Sequence, residues 1–308
     1  MTLYVALLAI GLVFGAVVPL AFDSGFVSFV YLILYFVCLT SAWNLFSGFS
    51  GYINFGFVAF IGIGMYASVI AIVDLKLWWP IAWAFGGFAS ACFAAIISYP
   101  ILRTRGAYFS IAMLAIAEGV RILSATPYLA PVTRGGRGIS LVSADLNRQY
   151  YAMLVLAVAL LVLTYKVARS RFGLELLALR EDEGLATGLG INNTRVKIIA
   201  FVMSAFFAGA AGGVHAAFIH YVEPTAAFDL KYTIFPVIMA QFGGLGTVAG
   251  PIVGGVLLQI VSDLAWLHLA KLNLTIFGLI LIGLLMGLPQ GLVPALKDAR
   301  WLPKTRGI

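Results

Sequence analysis

Along this chain, polar residues come in short bursts between long apolar runs. No charged residue occurs at 3–22, 24–73, 77–102, 149–165, 232–262 or 272–296. A helix needs about 20 consecutive apolar residues to cross the hydrocarbon of a bilayer. The pattern therefore predicts an all-α fold: a polytopic transmembrane helical bundle in one domain spanning 1–308. Helices are expected at about 3–22, 26–46, 57–73, 79–101, 106–124, 149–168, 198–220 and 275–293. The first run has neither a basic stretch ahead of it nor a small-residue cleavage site, so it reads as a retained helix and not a removed signal.

Two of the apolar stretches carry glycine-rich interruptions. "SGFSGYINFG" (47–56) divides 24–73 into two crossings, and "GGLGTVAGP" (243–251) divides 232–262 into a there-and-back hairpin. Each arm of that hairpin is expected to be short for a full span, which leaves a re-entrant pair and two tilted helices both open. Such interruptions mark either discontinuous helices lining a path or close helix packing through small residues.

Charge then sets the topology. Twelve of the 19 basic residues fall at three places: Arg103 and Arg105; Lys166, Arg169, Arg171, Arg180, Arg195 and Lys197; and Lys297, Arg300, Lys304 and Arg306. If all three are cytoplasmic, as the positive-inside rule prefers, the segments between them must cross in pairs. The expected helices satisfy that parity with eight full crossings plus the broken hairpin. Both termini are then cytoplasmic, and 125–148 lies outside.

The formal net charge of +7 does not point to nucleic acid, because the basic residues form no stripe on a soluble face. Cys38 and Cys92 lie within apolar runs and read as small hydrophobic residues. His215 and His220 are five apart, on different faces of a helix, and with His268 lack metal-ligand spacing. They read as core or interfacial histidines. No glycine-rich phosphate loop of the Walker type is present, and no serine, histidine and acid set suggests an enzyme site. No cofactor is expected in this chain.

A few polar residues inside apolar segments are candidates for a translocation path. Glu118 and Arg121, three apart on one helix face, are either a path or gating element or a mutually satisfied structural pair. Tyr52 and Asn54 follow the first interruption, and Gln241 and Thr247 flank the second. Freed backbone in such breaks either coordinates a polar solute or is repaired by neighbouring side chains.

The remaining concentration of charge is the loop at about 169–197. "RFGLELLALREDEGLA" (171–186) has strong helix formers with Leu174, Leu177, Ala178 and Leu185 on one side, which predicts one amphipathic surface helix. "TGLG" (187–190) ends it, and "NNT" (192–194) offers caps for the next helix, beginning near Arg195. A mere connector needs neither leucines nor an ordered turn, so the loop reads as a docking element for a soluble partner.

Several stretches, in order, resemble the permease subunits of ATP-binding-cassette importers, and among them the branched-chain amino acid permeases of the LivM type. They are "SGYINFGFVAFIGIGMYAS" (50–68), "LRTRGAYFSIAMLAIAEGVRI" (102–122), "TRGGRGI" (133–139), "GLELLALREDEGLATGLGINNTRVKIIAF" (173–201), "AGAAGGVHA" (208–216), "GGLGTVAGPIVG" (243–254) and "GLPQGL" (287–292). The resemblance implies a coupling helix with a Glu-Ala-Ala, any three, Gly pattern. Here the matching positions are Gly184, Leu185, Ala186 and Gly190, so the glutamate is missing and the nearest acid is Glu183. Arg180, Glu181, Asp182, Glu183, Ala186 and Gly190 become the expected contacts with an ATPase.

The same resemblance implies a second related permease, two ATPase subunits holding ATP and magnesium, an extracytoplasmic solute-binding protein, and a place in the bacterial cytoplasmic (inner) membrane. Its substrate class is branched-chain amino acids, with urea, short amides and small aromatic acids belonging to similar systems. A stand-alone ion-coupled transporter is disfavoured by the shortage of intramembrane acids beyond Glu118. A structural scaffold would not need the ordered loop.

Overall fold

The computed structural model describes residues 15–141, 145–269, 278, 283 and 291–298. Residues 15–21 are helical. Asp23 caps the next helix, α1 (Ser24–Trp43), by accepting from the Gly25 N–H, and α1 runs directly into a five-residue π-helix, Asn44–Gly48. After an extended stretch come α2 (Val58–Val73), α3 (Trp79–Ile101) and α4 (Ala107–Ala125). Short α5 (Ala130–Thr133) and strand β1 (Ile139–Ser140) lead to α6 (Leu146–Arg169). Then follow α7 (Arg171–Glu181), α8 (Glu183–Gly188), α9 (Asn193–Ile219), β2 (Tyr221–Val222), α10 (Pro224–Ala227), α11 (Lys231–Gly243), α12 (Ala249–Leu269) and α13 (Leu292–Asp298).

Among the described residues, five helices are long and apolar enough to cross a membrane: Ser24–Gly48, α3, α4, α6 and α9. Both glycine-rich interruptions interrupt the helices as expected. The termini and most of the crossing expected at 275–293 lie outside the described residues.

Three expectations need correction. The second arm of the hairpin is not short, since α12 has 21 residues, about 31 Å at 1.5 Å per residue. Its greater length brings Asp263 into the helix, where Gln259 Nε2 donates to it at 3.2 Å, so Glu118 is not the only carboxylate within a long apolar helix. The amphipathic surface helix is in fact two helices, because Asp182 adopts an extended conformation (φ −159°, ψ 118°) between α7 and α8. Its buried side is Gly173, Leu176 and Leu179, whereas Leu174 and Leu185 are exposed. Leu177 and Ala178 of the expected stripe are partly buried, and Gly173 packs closely on the Val167 carbonyl at the start of the helix.

The tightest packing joins α2, α3 and α9 through small residues. A Cβ on Gly64 would strike the backbone of Gly209, and one on Gly86 would strike Ser68. Ser90 Oγ donates to the Phe60 carbonyl across the same seam at 2.7 Å. In a bilayer, lipid tails are as apolar as leucine, so helices associate by such close packing and by hydrogen bonds between them.

The loops sort to two ends. At one end β1 and β2 form an antiparallel ladder pairing Ile139 with Val222, and Arg134 meets Asp74 at 3.3 Å. The two connections after α4 and after α9 therefore share that end. At the other end lie the break after α1, the α3–α4 turn with Arg103 and Arg105, the α6–α9 loop and the α11–α12 turn, joined by hydrogen bonds between them. This sorting agrees with crossings in pairs between the basic clusters.

A leucine at position 209 has to displace backbone, and overpacking of this kind costs about 1–3 kcal/mol or more. Gly209→Leu is expected to lower the melting temperature and the yield of folded protein in detergent. Gly119→Ala, on α4 where no described atom lies within 4 Å of a new Cβ, is expected to change neither.

Candidate functional site

The basic end of the bundle holds a folded unit made from the loop between α6 and α9. Ser170 caps α7 by accepting from the Gly173 N–H at 3.2 Å. Asp182 then turns the chain. Its Oδ1 accepts from the N–H groups of Gly184 (2.6 Å) and Leu185 (2.9 Å), which satisfies two of the donors a helix start leaves open. Gly190, at φ +81°, closes α8 in the left-handed conformation that glycine adopts without strain. Asn192 caps α9 by accepting from the Arg195 N–H at 3.0 Å.

Much of this unit's polarity is directed inward. Glu183 receives three groups: Lys197 Nζ at 3.0 Å, Arg105 Nε at 3.2 Å, and the Tyr52 hydroxyl, which donates to Oε1. Lys197 is 4% exposed and also donates to Tyr52 Oη (3.0 Å) and to the Leu102 carbonyl (3.3 Å). One buried ammonium thus ties α9, α8, the break after α1 and the α3–α4 turn. Partial burial alone would raise the Glu183 carboxyl pKa. The hydrogen bonds from Tyr52 and Lys197, with the charges of Lys197 and Arg105, outweigh that and hold it below the usual glutamate range. Burial and the Glu183 carboxylate push the Tyr52 phenol upward, so it remains a donor.

Arg180 also points inward: its Nη1 donates to the Gly48 carbonyl at 2.8 Å. That carbonyl belongs to the π-helix, and the π-helix in turn holds the second interruption. Asn44, fully buried, accepts from the Gly246 N–H through Oδ1 (2.9 Å) and donates from Nδ2 to the Thr247 carbonyl (2.8 Å). The largest side chain that α8 turns to water is apolar. Leu185 is 71% exposed and Leu189, just past its end, 78%.

This arrangement is a small helix anchored to the bundle by its charges and presenting leucines outward. A family model described as branched-chain amino acid transport system / permease component matches residues 25–286. The chain belongs to that family. The high-affinity branched-chain amino acid transport system permease protein LivM of Salmonella typhimurium is 28% identical to it over 92% of this chain and 73% of its own length. The corresponding LivH protein of Escherichia coli is 27% identical over 80% of this chain and 87% of its own. A probable LivM of Methanocaldococcus jannaschii is 26% identical over 65% and 64%. No solved structure matches the chain.

For a permease of this family, the structure distributes the sequence-derived site residues unevenly. Of the expected partner contacts, Arg180, Glu181, Asp182 and Gly190 are exposed, with Asp182 capping α8, Gly190 shaping the turn and the head of Arg180 bonded to Gly48; Glu183 faces the bundle and Ala186 is buried. Among the path candidates, Tyr52 belongs to the Glu183 cluster. Asn54 is buried in the first break, where its Oδ1 accepts from the Gly56 N–H at 3.0 Å and its Nδ2 has no hydrogen-bond partner among the described residues. Thr247 repairs the second break by donating to the Gly244 carbonyl and accepting from the Gly250 N–H. Gln241 is exposed on α11. Glu118 and Arg121 pair at 2.8 Å on a partly exposed face of α4, apart from both breaks.

Sequence reasoning does not single out Asn44, Arg105 or Lys197. A lysine on the first turn of an apolar helix, and an amide shortly before a break, are the available signals. His215, expected as a core histidine, is 4% exposed, with its ring nitrogens 3.5 Å from Tyr31 Oη and 3.3 Å from Tyr232 Oη.

Removing one member of a buried ion pair costs up to about 3 kcal/mol, less here because Arg105 and Tyr52 still reach Glu183. Lys197→Met is therefore expected to lower the melting temperature, and Glu183→Gln added to it should restore part of the loss. A depressed carboxyl contributes stability above its unfolded pKa and loses it as pH falls through the lower folded value. The melting-temperature difference between wild type and Glu183→Gln should accordingly be constant near neutral pH and shrink in acid below the ordinary glutamate range.

Proposed function

We propose that this chain is a membrane-spanning half of an ATP-driven importer that carries branched-chain amino acids into the cytoplasm across a bacterial inner membrane. The observation that carries the reading, beyond family membership, is the outward face of α8. Two leucines stand in water on a short helix that Asp182 caps and Glu183 ties to the bundle. Neighbouring exposed leucines on an ordered element outside the apolar spans suit a protein contact. Its position at the basic end favours the cytoplasm for that contact, where ATPase subunits would dock.

The remaining partners follow from the same reading. A second, related permease completes the membrane part, an extracytoplasmic solute-binding protein delivers substrate, and the ATPases hold ATP and magnesium. Closing of the ATPases would shift α8 as a rigid piece. The free energy for transport enters through the difference in docking between two states, since a partner that binds both equally moves nothing.

The chain, co-expressed with the genes beside its own, is expected to co-purify with an ATPase. A cysteine replacing Thr187, which is exposed beside the leucines, should cross-link to it. Leu185→Glu with Leu189→Glu should abolish co-purification and leave the permease folded and monodisperse. Absence of any ATPase from the wild-type complex, together with uptake indifferent to ATP, would sink the importer reading.

A further inference from the structure

The Arg180 side chain passes between two glycines at which any side chain would crowd it. At Gly51 (φ +78°) a Cβ would lie 3.0 Å from Arg180 Cγ. At Gly246 (φ +71°) a Cβ would lie 2.8 Å from Arg180 Nη1 and 3.0 Å from the Gly48 carbonyl oxygen. The side chain thus runs from α7 across Gly51, and its head sits where the two helix breaks meet. There it donates to Gly48, the last residue of the π-helix. Asn44, the first residue of the same π-helix, holds Gly246 and Thr247 by two further bonds.

A single guanidinium is therefore in contact with both interruptions of the bundle, although it belongs to a loop. π-Helical turns often mark functional sites within helices. The two glycines have positive φ, so side chains would be strained there as well as crowded. We propose that Arg180 is the positioning residue that transmits displacement of α7 and α8 to the two breaks together, making them one inner gate. The proposal rests on the importer reading above. It assigns the Arg180 guanidinium a role at the two breaks, although the residue as a whole is exposed.

The geometry sets what each substitution does. Arg180→Ala removes the connection and leaves the leucine face of α8 untouched. Arg180→Lys keeps a donor that can reach the Gly48 carbonyl but loses the planar fork. Gly246→Ala alters the glycine opposite Gly51, away from the α8 leucine face.

The test uses the complete complex reconstituted in lipid vesicles, reading uptake of radiolabelled leucine per ATP hydrolysed, ATPase co-purification and melting temperature. Arg180→Ala and Gly246→Ala should each retain the ATPase and hydrolyse ATP. Each should lose uptake per ATP by about five- to a hundredfold, the usual span of coupling between two sites. Arg180→Lys should recover part of it, and the double variant Arg180→Ala, Gly246→Ala should lose little more than either single one, as residues acting through one contact do. Wild-type coupling in Arg180→Ala would overturn the proposal. So would a defect that consists of lost ATPase binding, which would make Arg180 a docking contact. If Arg180→Ala fails to fold, the proposal is overturned instead by unchanged coupling in Arg180→Lys, or by losses in Arg180→Lys that simply add to those of Gly246→Ala. A wild-type complex that neither holds an ATPase nor couples uptake to ATP defeats the importer reading itself and is told apart from all of these.

Discussion

Backbone that leaves a helix at membrane depth has to find its hydrogen bonds within the protein, because lipid offers none. The carboxamide of Asn44 answers that demand for both interruptions at once. It gives a donor to the Thr247 carbonyl and an acceptor to the Gly246 N–H, as a neighbouring strand would. Its two bonds join the α1 break directly to the α11–α12 turn. Break and turn share one hydrogen-bonded centre, to which Thr247 and Arg180 add further bonds. The position of the loop follows from that centre, since α7 is held where its arginine can reach Gly48.

The direction of the loop's charges changes how it is understood. Dense charge at 180–197 suggests a solvated, partner-facing surface. Arg180, Glu181, Asp182 and Arg195 are exposed as that reading expects, yet Asp182 also starts a helix, Glu183 holds a buried lysine, and the head of Arg180 completes a break. A buried ion pair adds little net stability, because desolvation offsets most of the attraction. Its geometry is nonetheless demanding, and here it fixes which face of α8 points outward. The acid nearest the coupling pattern thus serves the inside of the molecule.

The helices and their breaks are legible in the sequence because apolar length and glycine clustering are local properties. The pairing of crossings is legible because basic residues gather at one side of a membrane. The split at Asp182 is not, since "LLALREDEGLA" reads as one helical run, and only the use of the Asp182 carboxylate as a cap reveals the stop. In the sequence Lys197 is one of six loop cations. Its burial depends on Tyr52 and Leu102, which are 145 and 95 residues away in sequence, and no window along the chain can show that. Glu118 and Arg121 are visible as a helical pair three apart, and the structure keeps them as that pair and adds no third partner to it among the described residues.

Where α9 crosses α2 and α3, bare backbone meets bare backbone at Gly209 and Gly64, between the aromatic contacts of Phe201 with Phe60 and of Phe206 with Phe88. Lys197 lies twelve residues before Gly209 on a continuous helix, about 18 Å at 1.5 Å per residue, so a rotation of about 5° there would carry the lysine about 1.6 Å. That arc is comparable to the slack in a single hydrogen bond. Were α9, the longest of the described helices, to turn about that close approach, the Glu183 cluster would stand at the end of its arm.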